Sequence, residues 1–195
     1  MKRLLTIATI IAIALTVNAQ NAAQQKRIAA VRSLYADALK RIEQDASIPE
    51  THNATTVDIS RMVAATGLQK KKVTFYYYEA GTEEDIYKWD LYFIRENYNV
   101  ASRKVACEYL VDPESGKPVF YFCKKDVFDS SEPTETRIYF NENGTPCFMQ
   151  NTYVDDSGKT RKEAVKNLST NKEIKVVLAA FKRYQGIHTS LMHVD

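Results

Sequence analysis

A chain of 195 residues with 27 Lys and Arg against 24 Asp and Glu can build one domain with a sizeable core, and its charge asks for no nucleic-acid or anionic-membrane partner. Lys2 and Arg3 supply two of the three excess charges, so the remainder is close to neutral. Six glycines and three histidines leave little material for phosphate loops or a dense metal-ligand set, so no cofactor and no metal are expected.

The chain opens with an export pattern. Lys2 and Arg3 form a positive n-region, Leu4 to Val17 an apolar run, and Val17-Asn18-Ala19 a small-residue cleavage site, so residues 1–19 read as a cleaved secretory signal. A membrane span needs about 20 apolar residues, and this run is shorter. No cysteine follows the cleavage site, which argues against a lipoprotein. The expected product is a single secreted or periplasmic domain over 20–195, with no transmembrane segment after cleavage.

From Asn21 to about Gln44, Ile28, Val31, Tyr35, Ala38 and Ile42 recur at helical spacing, and Leu34 and Leu39 widen the stripe. Pro49 lies past the end, and 47–53 reads as a linker. The period then changes to two. Strands are predicted over 57–63, 73–78, 87–98, 105–111, 119–124, 136–140 and 147–152. Short turns separate them, including Asp112-Pro113-Glu114-Ser115-Gly116 and Asn141-Glu142-Asn143-Gly144, which favours an antiparallel meander of six or seven strands. The second turn repeats part of the first: Gly116-Lys117-Pro118-Val119-Phe120 returns as Gly144-Thr145-Pro146-Cys147-Phe148.

Alternation sorts the strand residues into two faces. One holds Val73, Phe75, Tyr77, Trp89, Leu91, Phe93, Val105, Cys107, Tyr109, Val111, Val119, Tyr121, Cys123, Ile138, Phe140, Cys147 and Met149, and is the expected core face. The other mixes Tyr76, Tyr78, Tyr92, Leu110, Phe120, Phe122, Tyr139 and Phe148 with Glu108 and Arg137. A closing helix over about 171–185 carries Ile174, Val177, Leu178, Phe181 and Tyr184, with a capping box Thr170-x-x-Glu173 and Gly186 as its C-cap. The fold class is therefore α+β, a meander flanked by N- and C-terminal helices, with a closed lipocalin-like barrel as the alternative.

The stretch Tyr92 to Val100 and Glu108 to Phe122, with its aromatic hairpins, resembles a type of uncharacterised exported bacterial protein over about residues 90–150. The resemblance implies export and carries no activity.

Catalytic motifs are absent. There is no G-x-S-x-G elbow, P-loop or dinucleotide fingerprint. The carboxylate groups Glu83-Glu84-Asp85 and Asp155-Asp156 sit in turn-like sequence, and His52, His188 and His193 read as linker or tail residues. Lys70-Lys71-Lys72 and Lys124-Lys125 read as solvated strand ends. The hairpin register places Cys107 opposite Cys123, which permits a disulfide, the alternative being buried free thiols. The expected function is thus an exported non-catalytic binding or interaction module of the cell envelope or exterior, with a saccharide, a peptide or an envelope protein as its partner. A hydrolase with a carboxylate cleft and a carrier of a small apolar ligand are the alternatives. The candidate binding residues are Tyr92, Phe120, Phe122, Tyr139 and Phe148. They form a binding surface if neither helix covers them, and a second core if one does.

Overall fold

The computed structural model describes residues 2–48, 53–64, 67–81 and 89–192, with side chains of the first helix from Ala22 onward. The cleavage site's side chains, Pro49, His52, Glu83-Glu84-Asp85 and His193 lie outside the described residues. Helix α1 (Lys2–Ala46) precedes eight strands, β1 (Ala54–Val63), β2 (Gly67–Glu79), β3 (Trp89–Val100), β4 (Arg103–Val111), β5 (Pro118–Lys125), β6 (Glu135–Phe140), β7 (Pro146–Val154) and β8 (Thr160–Ala164), and helix α2 (Lys172–Met192) follows them. Each strand pairs antiparallel with the next, in the order β1 to β8. The sheet is open, with β1 and β8 as its edges, so the closed barrel is ruled out. No helix of the described residues is long and apolar enough to cross a membrane.

Strand β8, with the sequence Thr160-Arg161-Lys162-Glu163-Ala164, escapes prediction because it is exposed throughout and shows no apolar alternation. Its charges suit an edge strand that must not recruit further chains. Two helix-end expectations are also corrected. The cap of α2 is Asn171, whose Oδ1 accepts the Ile174 N–H at 3.1 Å, while Thr170 bonds back to the Asn167 carbonyl. Gly186 does not end α2, which continues for a further turn and a half because the apolar stripe resumes at Ile187 and Leu191. His188 is consequently no tail residue. It is buried against the rings of Phe75 and Tyr77, at centroid distances of 6.1 and 5.5 Å.

The helices take opposite faces. α2 lays Ile174, Val177, Phe181 and Tyr184 on a core that includes Phe75, Tyr109, Tyr121, Ile138 and Phe140. α1 lays Ile28, Val31, Ala38 and Ile42 on Tyr76, Tyr92, Phe93, Leu110, Phe120 and Tyr139. Three residues expected on the first face lie on the second: Phe93, Val119 and Cys147. Each sits at a β-bulge. The register runs Tyr76↔Phe93 then Tyr77↔Leu91, leaving Tyr92 as the extra residue; Val119 and Cys147 are the extras in β5 and β7. An extra residue reverses the parity of everything beyond it. The repeated Gly-x-Pro-x-Phe sequence is the signature of this device, used twice. The glycines take positive φ, 65° at Gly116 and 81° at Gly144, and the residue after each proline is the bulged one.

The bulges stand in one line. Beside them runs an uninterrupted cross-strand row on the α1 face, Tyr76–Phe93–Leu110–Phe120–Tyr139–Phe148. Because bulges bend and coil a sheet, a line of them across alternate strand pairs curves it along the row where α1 docks. A bulge also interrupts the ladder, and α1 bonds to carbonyls beside the last one. Arg27 Nε donates to the Phe140 carbonyl at 2.9 Å, and Gln24 Nε2 to that of Cys147 at 2.6 Å.

Candidate functional site

The predicted binding residues divide into two groups. Phe120 and Tyr139 belong to the row under α1, with 5% and 2% exposure and ring centroids 4.8 Å apart; Phe148 flanks Tyr139 at 5.8 Å. Their surface is not open. It is packing between helix and sheet, sealed by Tyr35, whose ring meets Phe120 edge-on at 5.0 Å. The Tyr35 hydroxyl donates to Glu108, which also accepts from Arg95 Nε at 2.9 Å, so a half-buried charged group fastens the C-terminal half of α1. Burial, followed by the Glu108 carboxylate, raises the Tyr35 phenol above its ordinary range. Phe122 sits two pairs farther along β5, with the Arg137 guanidinium 4.9 Å from its ring centroid.

Tyr92 occupies a different place. It stacks on Tyr78, with centroids 4.4 Å apart and planes 10° from parallel, and Arg41 Cζ lies 4.0 Å over the Tyr78 ring. Burial, then the nearby Asp45 carboxylate, raises the Tyr92 phenol. Both rings line a groove of about 710 Å³ between the C-terminal half of α1 and the β4–β5 turn. The groove's apolar lining comes from Leu34, Ala38, Leu110, Pro113, Pro118 and Val119. Asp37, Asp45 and Glu142 on one hand, and Arg27, Arg41 and Lys117 on the other, give it charges of both signs. Leu34 is 48% exposed, a large apolar side chain left on open surface.

Of the five predicted residues only Tyr92 lines this groove. Sequence reading missed the rest because it weighed strand faces, whereas the groove is made by a helix flank and a turn. One expectation is corrected with it: Leu34, which the helical spacing adds to the docked stripe, is left exposed at the groove, while Leu39 packs against the core under α1.

Two further groups answer sequence expectations. Cys107 and Cys123 are direct cross-strand partners, with Cα atoms 4.0 Å apart, and form a disulfide, while Cys147 is free. Beside them lies Glu96, 4% exposed, ion-paired with Lys71, whose Nζ also meets the Tyr184 hydroxyl at 3.2 Å. The bulge at Tyr92 turns Glu96 inward and Arg95 outward, the reverse of simple alternation from Leu91. Asp155 belongs to a turn: Ser157 Oγ and the Ser157 and Lys159 N–H groups donate to it and lower its pKa, most strongly the hydroxyl. Among the described residues no His, Cys, Asp and Glu group could hold a metal ion. Compared with family models, curated proteins and solved structures, the chain matches none.

Proposed function

We propose that the protein is an exported, non-catalytic binding module of the cell envelope or exterior, released from its 1–19 signal, and that the α1 groove seats an extended peptide segment of a partner. The observation that carries this reading is Leu34, held exposed above an aliphatic floor in a groove with charges of both signs along it. A peptide supplies apolar side chains for such a floor and charged or amide groups for such a rim. A sugar is favoured less, because the aromatic faces it would stack on are taken by the Tyr78–Tyr92 pair and by Arg41. The open sheet supplies no barrel interior for an apolar cargo.

The test is selection of a random peptide display library on the mature protein, followed by binding of enriched peptides to Leu34→Glu. Intact mass of exported material checks the start near Gln20. Enriched peptides that lose about tenfold or more in affinity on Leu34→Glu, with unchanged protein stability, support the groove. Failure to enrich any sequence, or equal binding by Leu34→Glu, refutes it.

A further inference from the structure

Beyond the row that α1 covers, the same sheet face continues past the Tyr35–Glu108 contact toward the far ends of β2 to β5. The next row is Thr74–Arg95–Glu108–Phe122–Arg137–Gln150, and the one after it Asp58–Lys72–Asn97–Ala106–Lys124–Glu135. One step farther out stand Lys70, Asn99 and Lys104, with Asn99 paired to Lys104. The two lysine clusters that look like separate strand ends in the sequence thus meet on one surface, with Lys104 between them. They line a depression of about 510 Å³, and Ala106 is the small residue between Asn97 and Lys124.

The charge balance there is local and positive. Lys71 and Lys125 are committed to Glu96 and Glu132, and Lys72 lies 3.9 Å from Asp58. Lys70, Lys104 and Lys124 make no ion pair among the described residues. Of the acids nearby, Asp126 accepts the Lys104 backbone N–H at 2.9 Å and Glu135 is held by Arg137 at 2.7 Å. In a chain close to neutral overall, these lysines are segregated rather than a sample of a basic protein.

We propose that this Lys/Asn depression binds an acidic polysaccharide. Strands lie about 4.8 Å apart, so β2 to β5 spans about 14 Å. One small anion cannot bridge that distance, and a polymer with repeating charges can. The amides of Asn97 and Asn99, set between the lysines, suit the hydroxyls that separate those charges. A depression admits a chain, whereas a lipid surface would meet only its rim. Among the described residues lining it, the aromatic ring is that of Tyr98, which carries Lys71 Nζ at 4.7 Å from its centroid and so is not open for base stacking.

The experiment uses the mature protein and polygalacturonate at low ionic strength, with neutral dextran, phosphatidylglycerol vesicles and duplex DNA as competing probes. The variant Lys70→Gln/Lys104→Gln/Lys124→Gln is compared with Lys172→Gln/Lys175→Gln/Lys182→Gln, which removes the same charge from exposed positions of α2. Binding by the wild type, weakened about tenfold in the first variant and less than about twofold in the second, supports the site. Absence of binding, equal weakening in both variants, or preference for vesicles or DNA over polygalacturonate overturns it. Leu34→Glu should bind polygalacturonate as the wild type does, so failure of the peptide groove and failure of this site are separately visible.

Discussion

Phe120 and Phe122 stand two residues apart on the same strand and the same face, but Phe120 is buried under α1 whereas Phe122 is only partly buried at the margin of that cluster. Replacing each by Ala therefore measures the helix's cover. A buried aromatic side chain removes 150–250 Å² from water, so at about 25 cal/mol per Å² losing most of the Phe120 ring costs about 4 kcal/mol. Its edge contact with Tyr35 and its packing on Tyr139 add about 1 kcal/mol. Partial collapse of α1 into the space returns some of this, so Phe120→Ala should lose about 3–5 kcal/mol. Phe122 is only partly buried, with the Arg137 guanidinium 4.9 Å from its ring centroid; Phe122→Ala should lose about 1–2 kcal/mol. Urea unfolding followed by circular dichroism reads both, with equal slopes required for the comparison. Losses within about 0.5 kcal/mol of each other would show that α1 does not lie on this row, and would return Phe120, Tyr139 and Phe148 to the surface.

Non-reducing peptide mapping should find Cys107 joined to Cys123 and Cys147 free, and Cys107→Ser/Cys123→Ser should lose about 3 kcal/mol, the loop-closure term for a separation of 16 residues; a bridge to Cys147 would overturn the strand order. Gly144→Ala, at φ 81° with its new methyl 3.4 Å from Pro118 Cδ, should lose about 1–2 kcal/mol, whereas Gly186→Ala, inside α2 with nothing within 4 Å, should gain about 0.5–1 kcal/mol; thermal melts distinguish the two signs. Burial raises the phenols of Tyr35, Tyr92, Tyr98, Tyr109, Tyr121 and Tyr184 above their ordinary value of 10.0. The unfolded chain releases those protons first, so stability is complete below about pH 10 and falls as pH rises beyond it. Ultraviolet titration should show these six of the twelve tyrosines ionising only as the fold opens; one reversible step for all twelve would refute their burial.

Much of this architecture is legible in the chain itself. Apolar spacing at period 3.6 marks the docking stripes of both helices, and period two marks seven of the eight strands, because burial of one face demands those repeats. Turn residues set the antiparallel order and even the Cys107–Cys123 register. What alternation cannot show is an extra residue. Tyr92, Val119 and Cys147 each reverse the parity of their strand, and that alone moves Phe93 across the sheet and brings Glu96 into the core. The groove and the lysine depression belong to the tertiary structure for a related reason. Leu34 and Pro118 meet across a helix and a turn far apart in sequence, and Lys70, Lys104 and Lys124 come from three strands whose register brings them together. Periodicity reports which side of an element faces a core, since burial acts on each element separately; which flanks become neighbours, and how much of a face a helix leaves open, is settled only when the elements dock.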